Sequence, residues 1–154
     1  MESILSSIAP QGFRARMLEE QDFEKGYLDL MSHLAEVEAL QFSKFREILE
    51  LMDNYYIVVL EDLSTLQVVA SGTLFIEQKL IREGKKVGHI DDVVVSQSYQ
   101  KLGLAQHILG VLKEIALSKD CYKVILECEE EVSGLFEKCG FQKKGLCMAE
   151  YINN

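Results

Sequence analysis

Residues 92–105 read Asp-Val-Val-Val-Ser-Gln-Ser-Tyr-Gln-Lys-Leu-Gly-Leu-Ala, and this stretch indicates the fold. A valine-rich run typical of a strand passes through a polar turn into a helix that begins near the small residues Gly103 and Ala105. Backbone N–H groups in the first turn of a helix have no intrahelical acceptor, and the helix dipole adds positive potential there. The junction therefore predicts a pyrophosphate-binding site, although a plain strand-to-helix turn fits the same spacing.

Two common nucleotide-binding motifs are absent from the chain. No segment has the G-x-x-x-x-G-K-[ST] pattern, which argues against a P-loop NTPase. No segment has the G-x-G-x-x-G pattern, which argues against a Rossmann dinucleotide site.

The segments on either side of this junction predict a single domain, residues 1–154, with a mixed sheet. Upstream, we expect a strand at 12–18, helices at 23–34 and 42–52, and strands at 55–61, 68–76 and 87–95. Downstream, we expect a helix at 104–115, a strand at 122–126, a helix at 132–139, and one or two closing strands within 141–151. This order predicts the α+β class (an α/β mixed sheet), with a mostly antiparallel central sheet and about four flanking helices.

The charge balance excludes some classes of partner. Asp and Glu number 25 against 16 Lys and Arg, which gives a net charge of −9 over 154 residues. Proteins that bind nucleic acid hold the phosphate backbone with clustered Lys and Arg, and anionic membranes attract the same residues. We therefore expect neither a nucleic acid nor an anionic membrane surface as partner.

The chain carries no recognisable targeting segment. Residues 1–8 lack a basic region and a long apolar core, and the longest apolar run, at 55–60, is far short of the roughly 20 residues of a membrane span. None of the four cysteines has C-x-x-C spacing, so we expect no zinc site. These features predict a cytoplasmic protein with reduced thiols, no metal and no membrane span.

Gln100-x-x-Gly103-x-Ala105 after a valine-rich strand is similar to the acetyl-CoA motif of the GCN5-related N-acetyltransferase (GNAT) superfamily. The predicted order of elements resembles that superfamily too. Within it, the chain resembles the glucosamine-6-phosphate N-acetyltransferases. Four segments carry this likeness, which spans roughly residues 13–150: residues 77–79, 89–95, 121–128 and 136–141.

The resemblance implies transfer of an acetyl group from acetyl-CoA, as co-substrate, to the amine of D-glucosamine 6-phosphate. The products would be N-acetyl-D-glucosamine 6-phosphate, a precursor of UDP-N-acetylglucosamine, and CoA, formed by direct attack in a ternary complex. It implies the GNAT fold and backbone N–H groups that hold the thioester carbonyl and the pyrophosphate. The residues implied to bind acetyl-CoA are Val93, Val94, Val95, Gln100, Lys101, Leu102, Gly103, Leu104 and Ala105.

Three carboxylates are the candidate catalytic residues, and they are also expected to bind the sugar. Asp91 and Asp92 are adjacent on a strand, so only one faces a given pocket unless a bulge intervenes. The resemblance assigns this pair to the sugar amine and hydroxyls. Glu129 follows the buried strand at 122–126, where ligands gather in α/β folds, but it also fits a solvated acidic run before a helix.

The remaining site residues include one match to the family and two departures from it. Lys79 matches the family's Glu-x-Lys and is the predicted ligand of the sugar phosphate. Ala35 stands where the family often has threonine, and Phe136 stands where it has the tyrosine near the coenzyme sulfur. Water, solvent or Tyr122 would then protonate the thiolate, or the step needs no acid because a thiol is a fair leaving group.

The family resemblance implies a homodimer that completes the sugar site. Residues 145–152 are β-rich and suit pairing across a two-fold axis, and a monomer that uses the same strand internally is an alternative. Two other functions compete with the leading one. An acidic surface suits a protein or polyamine acceptor, and Phe136 suits a non-catalytic acyl-CoA-binding domain.

Overall fold

A computed structural model describes residues 1–6 and 9–153 and has a five-stranded sheet at its centre. The strands lie in chain order, and neighbours run antiparallel except for the last pair, which is parallel. They are β1 (Phe13–Met17), β2 (Tyr55–Asp62), β3 (Val68–Gln78), β4 (Lys86–Val95) and β5 (Cys121–Leu126). This topology confirms the predicted mixed, mostly antiparallel sheet.

Helices cover both faces of the sheet. The described part of the chain contains α1 (Glu2–Ser6), α2 (Tyr27–Met31), α3 (Phe42–Leu51), α4 (Leu104–Ser118) and α5 (Ser133–Lys138). Apolar side chains of α1 and α4 pack on one face, while those of α2 and α3 pack on the other. The sheet is therefore the middle layer of three.

Two predicted elements are wrong. The helix expected over 23–34 is split into a 3-10 turn, Glu20–Glu24, and α2, because Gly26 between them adopts a left-handed conformation with φ of 82°. The closing strands expected within 141–151 do not form in the single chain. There Leu146 is 94% exposed and Met148 91%, and the segment pairs with none of the five described strands.

A buried ion network joins β1, the 3-10 turn and β2. The Arg16 guanidinium donates both Nη groups to the Asp22 carboxylate, at 2.7 and 2.6 Å, and one of them also to Glu61, at 2.7 Å. Lys25 donates to the same Glu61 oxygen at 2.9 Å. Burial raises the pKa of Glu61, but the hydrogen bonds from Arg16 and Lys25 outweigh that effect and lower it below its ordinary value.

A β-bulge interrupts the pairing of β3 with β4. Thr73 pairs with Asp91 and Ser71 pairs with Val94, so two residues of β4, Asp92 and Val93, stand opposite Gly72. Asp92 has a positive φ of 51°, which breaks the alternation of side chains along the strand. The bulge therefore removes the strict alternation that would direct Asp91 and Asp92 to opposite faces of the sheet.

Helix α4 packs directly against Gly72. A Cβ at this position would lie 2.4 Å from Ile108 Cγ2 and 3.1 Å from Leu112 Cδ1, on the face opposite the layer of α2. Ile108 and Leu112 are fully buried, and the β-branched Ile108 has little rotamer freedom in a helix. Only glycine allows α4 to lie this close to the strand behind the bulge.

We expect Gly72→Ala to lower the free energy of unfolding by about 1–3 kcal/mol, because the added methyl overpacks the contact with Ile108. Urea denaturation measures this change. Gly110→Ala in α4 is the matched control, since a Cβ there meets nothing within 4 Å and alanine is the better helix former. Equal stability of Gly72→Ala and the parent would contradict the proposed constraint.

Candidate active site

The strands β4 and β5 part at the bulge and leave a split in the sheet. Their parallel register runs from Lys86 opposite Cys121 to Ile90 opposite Leu126, where β5 ends. Strand β4 continues to Val95, so residues 91–95 have no partner from β5 on that side. Backbone N–H groups on that edge of β4 are thus available to a ligand that enters the split.

A cavity of about 60 Å³ lies at the mouth of the split. Its lining combines apolar strand residues with polar groups from both strands: His89, Ile90, Asp91, Ile125, Leu126 and Glu127. The cavity is therefore lined by apolar and polar residues in equal number, with an acidic residue from each side of the split.

The two adjacent carboxylates at the bulge interact electrostatically. The pKa of Asp92 is raised, because the surrounding protein displaces part of its hydration and because the charge of Asp91 lies close by. Both residues remain exposed to solvent at the surface of the fold. A carboxylate with a raised pKa is the better proton acceptor of such a pair.

Tyr27, which the sequence indicated only as a helix core residue, lies within electrostatic reach of Asp92. Its side chain is 7% exposed, on the α2 side of the sheet. Burial raises the pKa of Tyr27 to about 12, a hydrogen bond with Ser71 acts in the opposite direction, and the charge of Asp92 adds to the increase. The hydroxyl therefore stays protonated near Asp92, and no local pattern marked this long-range contact.

The turn between β4 and α4, residues 96–103, includes the predicted acetyl-CoA motif residues Gln100 and Gly103 and is named the coenzyme loop after that prediction. It contains a 3-10 turn, Gln97–Tyr99, and two residues with positive φ, Lys101 at 66° and Gly103 at 75°. Gly103 is the N-cap of α4, and Leu104, 1% exposed, directs its side chain into the core. This geometry leaves the backbone N–H groups of the first turn free to meet an anion.

The other predicted coenzyme-binding residues lie on both faces of β4, in the coenzyme loop and in the first turn of α4. Val93 and Val95 are half-buried against the α4 core, whereas Val94 is buried on the α2 side. Gln100, Lys101 and Leu102 are exposed at the tip of the coenzyme loop, and Ala105 is half-buried in the first turn of α4. The structure thus brings the predicted thioester and pyrophosphate sites onto one continuous strand, loop and helix.

Lys79 belongs to a three-residue network on the α2 side of β3 and β4. Its Nζ donates to Glu77 Oε1 at 2.6 Å, and the other oxygen of Glu77 lies 2.7 Å from His89 Nε2. These hydrogen bonds lower the pKa of Glu77, with Lys79 the larger cause. Since His89 also lines the cavity beside Asp91, Glu77 links the predicted phosphate ligand to the split.

Glu129 lies apart from the cavity lining. It is exposed and immediately precedes the 3-10 turn Glu130–Val132. The carboxylate that lines the cavity is Glu127, the first residue after β5. Glu127 and His89 are functional candidates that sequence reasoning missed, although His89 shares a strand face with Asp91 two residues away.

Neither aromatic residue considered for the thiolate offers a hydroxyl at the split. Phe136 is half-buried and packs edge-on against Phe141, with ring centroids 6.2 Å apart. Tyr122 lies under the Arg82 guanidinium, 4.8 Å from the ring centroid. It precedes Leu126 by four residues of strand, about 13 Å, so the suggestion that Tyr122 protonates the thiolate is not supported.

The described residues contain neither a cluster that could bind a metal ion nor a helix that could span a membrane. Among residues 1–6 and 9–153, no group of three or more His, Cys, Asp and Glu side chains is placed to hold a metal ion. Within the same ranges, no helix has both the length and the apolar character needed to cross a membrane.

Comparisons with known proteins agree with this geometry. The acetyltransferase (GNAT) family matches residues 15–141. Glucosamine 6-phosphate N-acetyltransferase 1 of Dictyostelium discoideum is 36% identical over 151 residues, which cover 96% of this chain and 96% of that protein. The enzyme of the same name from Candida albicans is 38% identical over 143 residues, covering 90% and 95%.

Solved structures show the same fold. Glucosamine-6-phosphate N-acetyltransferase from Arabidopsis thaliana superposes with a TM-score of 0.86 at 33% identity and covers 92% of this chain and 99% of its own. An acetyltransferase from Trypanosoma brucei superposes with a TM-score of 0.87 at 35% identity, covering 91% and 99%. Because the family match covers residues 15–141 and these relatives are 33 to 38% identical over at least 90% of the chain, the chain belongs to the GNAT family of acetyltransferases.

Proposed function

We propose that this chain transfers the acetyl group of acetyl-CoA to the amine of D-glucosamine 6-phosphate, giving N-acetyl-D-glucosamine 6-phosphate and CoA. The observation that carries the proposal is the identity of 36 to 38% with two enzymes of that name over at least 90% of the chain. The reaction is proposed to be a cytoplasmic step toward UDP-N-acetylglucosamine, carried out by one catalytic domain that spans the chain.

The proposed reaction begins at the acidic pair. An amine attacks a thioester only through its lone pair, so its ammonium form must first lose a proton. Asp92 is the proposed proton acceptor, directly or through a water molecule, because its raised pKa strengthens it as a base. Asp91 is proposed to hold the amine and hydroxyls of the sugar in line with the thioester. Positioning of this kind can supply much of the rate acceleration.

The thioester is proposed to lie in the split between β4 and β5. Attack by the nitrogen forms the new N–C bond and moves charge onto the carbonyl oxygen, which the backbone N–H groups that face the split around Val93 and Val94 are proposed to stabilise. Collapse breaks the C–S bond and releases CoA thiolate, and the second proton of the attacking nitrogen passes to the thiolate or to solvent, which leaves the neutral amide and CoA. A free thiol has a pKa of about 8.5, so the thiolate leaves readily without a side-chain acid. This accounts for phenylalanine at position 136.

The two phosphorylated parts of the substrates are proposed to bind at separate places. The CoA pyrophosphate meets the coenzyme loop and the first turn of α4, mainly through backbone N–H groups. The sugar phosphate meets Lys79, whose ammonium has three N–H donors and so serves Glu77 and a phosphate together. Glu129 is proposed to contact the sugar from the exposed rim beyond Glu127.

A homodimer is proposed to complete the sugar site. Leu146, Met148, Tyr151 and Ile152 are each at least 87% exposed, and β5 is an edge strand of the sheet. Pairing of this C-terminal segment with a second copy would bury it and satisfy both strand edges. Sedimentation equilibrium is expected to return twice the chain mass of 17.5 kDa, and a monomer at micromolar concentration would contradict this.

A thiol-release assay with a panel of amines tests the proposed function. We expect turnover with glucosamine 6-phosphate that clearly exceeds turnover with glucosamine, a lysine peptide or a polyamine. Preference for the peptide or the polyamine would overturn the substrate assignment and leave the family assignment intact.

We expect Asp92→Asn to lower kcat by about 100-fold or more, because an amide accepts no proton from the ammonium. Activity of the parent should fall as pH decreases through the pKa of Asp92, which lies above that of an ordinary aspartate. The Kd for CoA should not change. Asp91→Asn is the comparison variant, because it keeps the proposed base and removes a proposed ligand of the sugar. It should raise the KM for glucosamine 6-phosphate and lower kcat less than Asp92→Asn does, and an equal loss of kcat in both variants would contradict the distinct role of Asp92.

We expect Lys79→Met to raise the KM for glucosamine 6-phosphate by about tenfold, through loss of a charge-assisted hydrogen bond. The KM for acetyl-CoA should not change, and turnover of unphosphorylated glucosamine should match that of the parent. Lys85→Met is the matched control, because Lys85 lies on the same β3–β4 connection and pairs with Asp120 at 3.1 Å. An unchanged KM for the phosphosugar in Lys79→Met would refute the assignment.

A further inference from the structure

We propose that Tyr99 is a positioning residue for acetyl transfer, which holds the coenzyme loop in its binding conformation through a hydrogen bond to Asp62. The inference rests on the proposed function in one respect, namely that the coenzyme loop binds CoA. Tyr99 immediately precedes Gln100, the first residue of the Gln100-x-x-Gly103-x-Ala105 motif. Any movement of Tyr99 is therefore passed directly to the residues that meet the pyrophosphate.

The hydroxyl and the ring of Tyr99 each contact one of two neighbouring residues, Asp62 and Phe13, at the end of the sheet. Its hydroxyl donates to Asp62 Oδ2 at 2.6 Å, and its ring packs edge-on against Phe13, with centroids 6.1 Å apart and planes at 78°. Phe13 and Asp62 are direct cross-strand partners in the register of β1 with β2. These two contacts thus attach the coenzyme loop to the paired strands β1 and β2.

Asp62 is itself held in place. Its Oδ1 accepts hydrogen bonds from the Ser64 backbone N–H at 2.8 Å and from the Ser64 hydroxyl at 2.7 Å. The residue is 9% exposed. The hydrogen bonds from Tyr99 and Ser64 lower the pKa of Asp62 to about 2, so it is a carboxylate at neutral pH. The bond from Tyr99 is therefore a charge-assisted one, which is stronger than a bond between neutral groups.

The coenzyme loop needs such an anchor because its backbone is otherwise weakly restrained. At its start, Ser96 N–H donates to Val69 O at 2.8 Å, and the next contacts, Tyr99 N–H to Ser96 O and Gln100 N–H to Gln97 O, lie within the loop itself. Lys101 holds a left-handed conformation that non-glycine residues rarely adopt. The exposed tip must keep this conformation before the coenzyme arrives.

Loss of the hydrogen bond between Tyr99 and Asp62 should weaken CoA binding without lowering the rate of acetyl transfer. A loop that is released from Asp62 samples other conformations, and the apparent Kd rises by the inverse of the fraction that remains competent to bind. The Tyr99 hydroxyl donates its proton to Asp62, so removal of the hydroxyl is expected to act on CoA binding through the conformation of the loop. Once saturating acetyl-CoA has ordered the loop, kcat should return to the parent value.

The test compares Tyr99→Phe with the parent, since phenylalanine keeps the ring contact with Phe13 and removes only the hydroxyl. Calorimetric titration with CoA should give a Kd about tenfold higher in the variant. In the thiol-release assay the KM for acetyl-CoA should rise to a similar extent. The KM for glucosamine 6-phosphate and kcat should stay within about twofold of the parent values. A residue that contributed only to folding stability would not raise the KM for acetyl-CoA while it left the KM for glucosamine 6-phosphate and kcat unchanged.

Two further variants test whether the change in CoA affinity is specific to the hydrogen bond between Tyr99 and Asp62. Asp62→Asn keeps a carbonyl acceptor for Ser64 and should weaken CoA binding to a similar degree, and the double variant should be no weaker than either single one. Asp62→Asn also serves as the test if Tyr99→Phe does not fold. Tyr56→Phe is the matched control, because the Tyr56 ring faces Lys119 at 5.5 Å, away from the coenzyme loop, and should bind CoA as the parent does.

The outcomes separate this inference from the proposed function. A Kd for CoA in Tyr99→Phe within about twofold of the parent overturns the inference alone, as do effects of Tyr99→Phe and Asp62→Asn that simply add. No CoA binding by the parent protein overturns the proposed function and this inference together.

Discussion

The close contact between helix α4 and Gly72 is the constraint on which the rest of the site depends. At this contact, α4 packs closely against β3 at the position where two residues of β4 stand opposite one of β3. The same helix presents the backbone N–H groups of its first turn, only one turn before Ile108. One packing contact thus sets the distance between the bulged acidic pair and the anion-binding helix end, which are the proposed sites for the two substrates.

The net charge of −9 does not conflict with two phosphorylated substrates. Net charge acts over long range through water and salt, whereas a binding site is governed by groups within a few ångströms. Here a helix N-terminus is available for one anion and Lys79, held by Glu77, for the other. The same acidic composition still disfavours binding along a polyanion, which requires many clustered cations.

The elements that were predicted correctly are those whose own residues show a clear apolar periodicity. Helix α4 and strands β2 to β5 lie within a few residues of their expected bounds, since apolar periodicity reflects which face each element buries. The helix expected over 23–34 was wrong because periodicity continues across Gly26 although its backbone turns left-handed. The closing strands at 141–151 were wrong because strand propensity does not supply a partner strand.

By itself, the sequence determined the class of fold, the acetyl-CoA motif and the presence of an acidic pair on one strand. Only the tertiary structure decided that the pair sits at a bulge, that Glu127 and His89 line the cavity, and that Tyr99 meets Asp62 across 37 residues of chain. The physical reason is that periodicity and motifs record the local backbone and the buried face. Register, bulges and contacts between distant residues arise from packing the whole sheet against its helices, which no short stretch of sequence encodes.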